Sequence, residues 1–156
     1  MVLYYFLAFA AATAIAIQAP INSRLGQALM GQPLLAALIS FSVGTIALFI
    51  LCLFRADFNN LGSTLLQQPL WKLTGGLLGA FMVFCSAFLP LKIGLGNFLF
   101  MVVVSQIIIA LIIDHFGLIG MPNKPIDIWR LLGALVMMGG LFIFFFGGKL
   151  AKTLLS

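Results

Sequence analysis

Very few side chains in this sequence could take part in chemistry. The chain of 156 residues has one histidine, two cysteines and three acidic residues, and it has no glutamate. Cys52 and Cys85 lie in separate apolar segments, outside any C-x-x-C spacing, which indicates apolar filler rather than a redox or metal-binding pair. The single histidine, His115, cannot complete a nucleophilic triad with so few acids. We therefore expect no enzyme, no catalytic residue, no metal site and no cofactor.

The remaining candidates are polar side chains inside long apolar segments. An unpaired polar group in hydrocarbon is costly, so each of them needs a partner. Gln18 and Asn22 are four residues apart and share one helix face. Pro20, between them, removes a backbone hydrogen bond and frees carbonyl groups nearby. The two amides either line a polar cavity, or they satisfy the kinked backbone or a neighbouring helix.

A second polar set lies in the fourth apolar segment. Asn97 and Gln106 are nine residues apart, about 180° around an ideal helix, so a regular helix cannot direct both into one cavity. Gln106 lies deeper in the segment and is the better cavity candidate, beside Ser105. Asn97 is a further cavity candidate, or it caps the start of the helix.

Asp114, which is followed by His115, is the only acidic residue attached to an apolar segment. An ionisable group in such a position is a candidate for proton coupling, so Asp114 and His115 are the coupling candidates. The alternative is that Asp114 lies at headgroup level, where it pairs with a lysine or caps local backbone.

The composition indicates that the chain is an integral membrane protein. Hydrophobic residues make up 63% of the chain and charged residues 7%, with a mean hydropathy of +1.25, whereas a soluble domain is about 25% charged.

A transmembrane helix needs about 20 mostly apolar residues. Five segments satisfy this requirement: residues 2–29, 33–54, 70–89, 94–113 and 128–146. We predict an all-α protein with a single transmembrane domain over residues 1–156. We expect the first segment to be a transmembrane helix rather than a signal peptide, because it lacks a basic n-region and four more apolar segments follow it.

Small residues at regular spacing indicate the faces on which these helices pack, because close backbone approach drives association in lipid. The second segment has Ser40 and Gly44, the third has Gly75 and Gly79, and the fifth has Gly133 and Gly140. Ser40 is also a cavity candidate. Whether these faces meet within one chain or between two chains stays open.

The basic residues favour no orientation in the membrane. With five helices, one side of the membrane has Arg55, Lys72, Lys124 and Arg130, and the other has Arg24, Lys92, Lys149 and Lys152. The positive-inside rule orients a protein by this count, and four against four gives no preference. Either one residue dominates and the topology is single, or the chain inserts both ways and pairs antiparallel. No run of basic residues indicates nucleic-acid binding.

Four motifs in order resemble the YdcZ family, a branch of the drug/metabolite transporter superfamily. They are Gln18-Ala19-Pro20-Ile21-Asn22-Ser23, Phe41-Ser42-Val43-Gly44-Thr45, Gly75-Gly76-Leu77-Leu78-Gly79-Ala80 and Ile113-Asp114-His115-Phe116-Gly117. The resemblance runs from about Val2 to Gly147 and implies a small five-span bundle, four helices plus one, in the bacterial cytoplasmic (inner) membrane. The family's paired genes and fused ten-span forms imply halves in inverted orientation, which favours an antiparallel homodimer.

The resemblance implies a secondary transporter of an unidentified small solute that works by alternating access. The expected cavity lies between two copies, is lined by the first four spans, and presents Gln18, Asn22 and Gln106 to a neutral or zwitterionic solute. The family's Gly-Gln pair in the fourth span corresponds here to Ser105-Gln106, a departure at the first position. Small multidrug transporters, which are distant relatives, use a first-span glutamate for proton exchange; this chain has none, so we do not expect that mechanism.

The expected partners are the solute, membrane lipid and a second copy. A dual-topology ion channel of the fluoride type and a non-transporting scaffold or lipid-binding protein are the alternatives.

Overall fold

A computed structural model describes residues 1–154, apart from the side chains of Lys149 and of residues 152–154. The chain is 85% helical, and no strand occurs in the part that the structure describes. Five helical stretches in that part are long and apolar enough to cross a membrane, which confirms the predicted number. They are α1 (Val2–Ala28), α2 (Pro33–Arg55), α4 (Thr74–Ile93, entered through a 3₁₀ turn at Leu70–Leu73), α5 (Leu95–Phe116) and α6 (Ile128–Leu154). A short helix, α3 (Leu61–Leu66), lies between α2 and α4.

The helix ends follow from proline and glycine. Pro33 occupies the first turn of α2, where its missing N–H is not needed. Gly31 before it has a φ of +74°, and Gly117 ends α5 with a φ of +61°, a left-handed conformation that glycine adopts without steric cost. The connection from α1 to α2 is therefore confined to residues 29–32, whereas Gly117 stops α5 before the longer connection of residues 117–127.

The predicted end of the third segment at residue 89, before Pro90, is wrong. Helix α4 continues through Pro90 to Ile93, and the reversal is confined to Gly94, which has a φ of +85°. Proline removes the N–H that would bond the carbonyl four residues earlier. That carbonyl, on Ser86, receives a hydrogen bond from another helix instead, as described below, so the helix tolerates the proline. Helix α5 likewise continues past the predicted end at residue 113, to Phe116.

The chain divides into two compact units, Met1–Lys92 and the part that begins at Ile93. In the first unit α1 packs along α2 and contacts α4. In the second, α5 packs on α6, where the ring of Phe100 lies 5.8 and 5.5 Å from those of Phe145 and Phe146. The predicted arrangement of four helices plus one stays a prediction.

Small residues hold these contacts while the large apolar side chains face outward. The buried apolar residues are mostly alanines (Ala19, Ala36, Ala37, Ala87 and Ala134), joined by Phe98 and Phe100. Side chains such as Val136 and Phe144 are more than 70% exposed. This inverted distribution is what a chain whose solvent is lipid requires, because lipid tails are as apolar as leucine.

Candidate solute site in the membrane-spanning helices

A groove of about 230 Å³ runs along the first unit, mainly between α1 and α2. Its lining residues are Gln18, Ser40, Phe41, Gly44, Thr45, Leu48 and Val83. The structure thus brings together Gln18 and Ser40, two of the predicted cavity residues. Gly44, which the sequence assigns to helix packing, lies in the wall of the same groove.

The polar groups of this groove are all neutral. Gln18 and Thr45 are exposed and Ser40 is half-buried. They offer one carboxamide and two hydroxyl groups, each of which can both donate and accept hydrogen bonds. Thr45 was missed as a site residue, although it ends the second of the four motifs and follows Gly44 directly. The groove can bind an uncharged polar group, and its lining has no charged side chain.

Asn22 does not line this groove. It is 2% exposed, and its Nδ2 donates a hydrogen bond of 3.0 Å to Oγ of Ser86 on α4. The hydroxyl of Ser23 donates to the main-chain carbonyl of Ser86 at 2.8 Å, and Ser86 Oγ in turn donates to the Val83 carbonyl at 2.8 Å. The amide of Asn22 is therefore used by a neighbouring helix, one of the two roles that the sequence allowed.

Gly26 lets α1 approach α4 closely at the same junction. A Cβ atom on Gly26 would lie 3.2 Å from the carbonyl oxygen of Ala87, which is tighter than ordinary contact. We name the contact formed by Asn22, Ser23 and Gly26 with Ser86 and Ala87 the α1–α4 junction. The sequence did not indicate it, because the predicted third segment ends before Pro90 and so leaves no unpaired carbonyl on Ser86.

Ser105 and Gln106 lie in the second unit and line a shallow groove on α5. The other lining residues are Ile109, Ala110 and Ile113, and the volume is about 380 Å³. Both polar side chains are exposed; the Ser105 hydroxyl also donates to the Val102 carbonyl of its own helix at 2.9 Å. Gln106 is therefore available to a ligand.

Asn97 bonds across the reversal from α4 to α5. Its Nδ2 donates a hydrogen bond of 2.7 Å to the carbonyl of Ile93, the last residue of α4. The start of α5 has Gly94 as its N-cap and no side-chain cap bond, so Asn97 does not cap this helix; its amide instead satisfies a carbonyl at the end of α4.

Asp114 and His115 hold the connection between α5 and α6. Oδ2 of Asp114 lies 3.7 Å from Nη1 of Arg130, so its charged partner is an arginine and not the lysine that the sequence suggested. The Asp114 carbonyl accepts from the N–H of Lys124 at 2.7 Å, and Nδ1 of His115 accepts from the N–H of Ile126 at 3.1 Å. These contacts supply structural roles for both coupling candidates.

Most of the predicted packing glycines have no neighbour within their own unit. A Cβ atom on Gly44, Gly75, Gly133 or Gly140 would meet nothing within 4 Å, whereas one on Gly79 would lie 3.4 Å from Cζ of Phe41. The closest glycine contact is at Gly96, where a Cβ atom would lie 2.9 Å from Cε1 of Phe145, closer than the 3.2 Å at Gly26. The uncovered glycine faces therefore leave surface for lipid or for another chain.

Among the described residues no group of three or more His, Cys, Asp or Glu side chains is placed to hold a metal ion. The polar groups of the two grooves are amides and hydroxyls, which suit hydrogen bonding rather than metal ligation or acid–base chemistry.

Comparison with known proteins gives one match. Neither a curated protein nor a solved structure matches the chain significantly. A family model described as "Putative inner membrane exporter, YdcZ" matches residues 3–143. This range is most of the chain and contains all the membrane-spanning helices except the first residue of α1 and the end of α6. An exporter is not an enzyme class, and the described localisation agrees with five helices that can cross a membrane. The chain belongs to the YdcZ family of the drug/metabolite transporter superfamily, and it is an integral inner-membrane protein of the transporter type.

Proposed function

We propose that this protein exports a small neutral or zwitterionic solute by alternating access, as an antiparallel dimer with no preferred orientation. The observation that carries the proposal is the groove beside α1 and α2, where Gln18, Ser40 and Thr45 present neutral hydrogen-bonding groups inside membrane-spanning helices. Polar side chains that face lipid are costly, so the grouping of three of them at one groove favours a binding role.

The chemistry of the groove supports an uncharged or internally balanced solute. A cation would need a carboxylate within the membrane to offset its desolvation, and the lining residues of this groove include none. Amide and hydroxyl groups bind carbonyl, hydroxyl and amide groups of a solute by ordinary hydrogen bonds. In this proposal Gln18 and Gln106 are the main contacts, and Ser40, Thr45 and Ser105 are secondary ones.

The size of the groove supports a second copy. Ligand sites are typically about 300–1,000 Å³ and enclose most of the ligand, whereas this groove measures about 230 Å³ and is open. One chain therefore supplies part of a site. Gly44, in the groove wall, has open space around it, so a second helix can approach closely there.

The charge distribution supports antiparallel pairing. Four basic residues lie on each side of the predicted topology, so the positive-inside rule gives both insertions similar free energies. Two copies in opposite orientation can form a two-fold symmetric transporter in which exchange of two equivalent conformations moves the site between the membrane faces.

The contacts of the remaining candidates assign them supporting roles in this proposal. Asn22 and Asn97 bond within the protein, and they fix helix geometry rather than contact solute. Asp114 faces Arg130. A proton-coupling role for Asp114 would require this pair to open, and it predicts that Asp114→Asn abolishes the effect of a pH gradient on transport.

A thermal-shift screen of the purified protein against neutral and zwitterionic metabolites and drugs tests the proposal. A bound solute stabilises the folded state by RT ln(1 + [L]/Kd), so a compound that raises the unfolding temperature identifies the solute class. Gln18→Leu should remove that shift, whereas Gln67→Leu, at an exposed glutamine in the α2–α4 connection, should keep it. Uptake of the same compound into proteoliposomes then shows transport.

Three outcomes would overturn the proposal. Fluoride conductance without saturable solute binding would indicate a channel. The absence of both ligand stabilisation and transport would indicate a scaffold or lipid-binding protein. Unchanged transport in Gln18→Leu and in Gln106→Leu would show that the solute binds elsewhere.

A further inference from the structure

A third groove, which shares only Ala110 with the groove of Ser105 and Gln106 and no residue with that of Gln18, runs between α5 and α6. One end of it is charged and the rest is apolar. Its volume is about 290 Å³, and its lining residues are Ile107, Ala110, Leu111, Asp114, Arg130, Gly133, Ala134 and Met137. The only charged side chains in this lining are Asp114 and Arg130. The groove is therefore amphipathic along its length.

The charged end lies where the two helices leave the apolar part of the sequence. Asp114 stands two residues before the end of α5, and Arg130 two residues after the start of α6. Met137 lies seven residues further along α6, a rise of about 10 Å into the span. The groove therefore places its ion pair near headgroup level and its apolar part along the acyl chains.

Small residues form part of the groove wall, and they leave room for an alkyl chain. Ala134 is buried at 6% exposure, and a Cβ atom on the neighbouring Gly133 would meet nothing within 4 Å. The larger side chains of Leu111 and Met137 complete the apolar lining. The unfilled space beside Gly133 is apolar and opens to the surroundings of a membrane-spanning helix pair, which are lipid.

The ion pair is loose enough to take a ligand. Its atoms are 3.7 Å apart, and the side chains of Arg130 and Asp114 are 40% and 41% exposed; a charge-assisted hydrogen bond would be about 2.7–2.9 Å. The guanidinium can donate two hydrogen bonds to a phosphate, and the carboxylate can accept from an ammonium N–H. The pair therefore offers complementary charge to a headgroup that carries both a phosphate and an ammonium.

The wider charge balance around the pair also favours a zwitterion. Lys124 and Arg130 are balanced by Asp114 and Asp127, and Oδ1 of Asp127 is already used as an acceptor for the main-chain N–H of Arg130 at 2.7 Å. An anionic headgroup without an ammonium would leave the Asp114 carboxylate opposite a like charge. A choline headgroup has no N–H to donate to that carboxylate.

We propose that this groove is a binding site for a phospholipid with a zwitterionic ethanolamine headgroup. The phosphate binds Arg130, the ammonium donates to Asp114, and one acyl chain lies over Gly133 and Ala134. The site does not depend on the solute groove, so it would stand even if the protein carried no solute.

Lipid titration of the delipidated full-length protein in detergent tests this site. Phospholipids with identical acyl chains and ethanolamine, choline or glycerol headgroups are compared by the unfolding temperature as a function of lipid concentration. We expect the ethanolamine lipid to bind about tenfold more tightly than the choline lipid, the size of one charge-assisted hydrogen bond. Arg130→Gln should weaken all three lipids. Asp114→Asn should remove only the preference for ethanolamine.

Substitutions at two glycines of α6 separate the groove from the rest of the lipid-facing surface. Gly133→Leu fills the groove and should weaken the ethanolamine lipid about tenfold, whereas Gly140→Leu, where the added side chain also enters open space, should leave it unchanged. Arg130→Lys keeps the positive charge but loses the guanidinium that can donate two hydrogen bonds to one phosphate. It replaces Arg130→Gln in the titration if that variant does not fold. Equal binding of the three lipids, tighter binding of the glycerol lipid, or equal effects of the two glycine substitutions would each overturn the proposal.

Discussion

The hydroxyl of Ser23 on α1 donates a hydrogen bond of 2.8 Å to the main-chain carbonyl of Ser86 on α4. In a regular helix this carbonyl would accept from the N–H of residue 90, which is a proline in this chain. The side chain from the neighbouring helix replaces the bond that Pro90 cannot make. The proline and the serine, far apart in the sequence, are therefore one structural feature.

We expect Ser23→Ala to lower the free energy of unfolding by about 1–3 kcal/mol, because it leaves a buried carbonyl without a donor. Pro90→Ala restores the helical N–H, so the loss should shrink when Ser23→Ala is made in that background. Unfolding in mixed detergent micelles measures both values. Ser42→Ala is the control: its hydroxyl bonds the Leu38 carbonyl within one helix, in an exposed position. A loss for Ser23→Ala no larger than that of the control would show that the Ser86 carbonyl does not need Ser23.

The Asn22 amide and the Ser86 hydroxyl should be coupled energetically. They form a buried hydrogen bond of 3.0 Å between α1 and α4, and such bonds within membranes contribute about 0.6 kcal/mol on average and up to about 1.7 kcal/mol. A double-mutant cycle with Asn22→Ala and Ser86→Ala measures the coupling. Asn22→Ala should keep the thermal shift produced by a transported solute, although from a lower starting temperature. Loss of that shift at unchanged stability would instead place Asn22 in contact with solute.

The number and position of the membrane-spanning helices could be predicted from the sequence because apolar length alone determines them. The end of α4 could not, because the donor that allows Pro90 inside the helix comes from Ser23 on another helix. Local rules predict that the helix ends at Pro90. They hold only when no neighbouring helix supplies a hydrogen-bond donor to the carbonyl that the proline leaves unpaired. The role of Asn22 could not be predicted for the same reason. The spacing of residues within α1 does not indicate that its partner is Ser86 on α4.

The candidate groove was predicted in part. Gln18 and Ser40 were identified as polar residues in apolar helices, and both line the groove. Thr45 was missed because a threonine in a helix can bond its own backbone and so gives a weak signal. Spacing also indicates which residues are small but not what approaches them, so it selected Gly44 and Gly133, whose surroundings are open, and missed Gly26 and Gly96.

Gly96→Ala should disturb the packing of α5 on α6. The added methyl group would lie 2.9 Å from Cε1 of Phe145, a ring that also contacts Phe100, and overpacking of this kind costs about 1–3 kcal/mol. Gly139→Ala on α6 is the control, because a Cβ atom there meets nothing while the gain in helix propensity is similar. We expect Gly96→Ala to be less stable than Gly139→Ala by that amount, measured by unfolding in detergent. Phe145→Leu should relieve the loss, and equal stability of the two alanine variants would contradict the close contact.

The balance of basic residues predicts that one added charge decides the orientation. Gln67→Lys and Gln32→Lys change exposed glutamines in connections on opposite sides of the predicted topology, so each converts the tie of four against four into five against four. Because the side with more basic residues stays in the cytoplasm, Gln67→Lys should place the C-terminus outside and Gln32→Lys should place it inside.

Labelling with an impermeant maleimide from each side of the membrane measures the orientation. The label reacts with a cysteine added at the C-terminus, in a chain whose Cys52 and Cys85 are replaced by serine. The parent chain should label about equally from both sides, and the two variants should shift in opposite directions. Labelling of the parent from one side only, unaltered by either lysine, would establish a single topology and remove the basis for an antiparallel dimer.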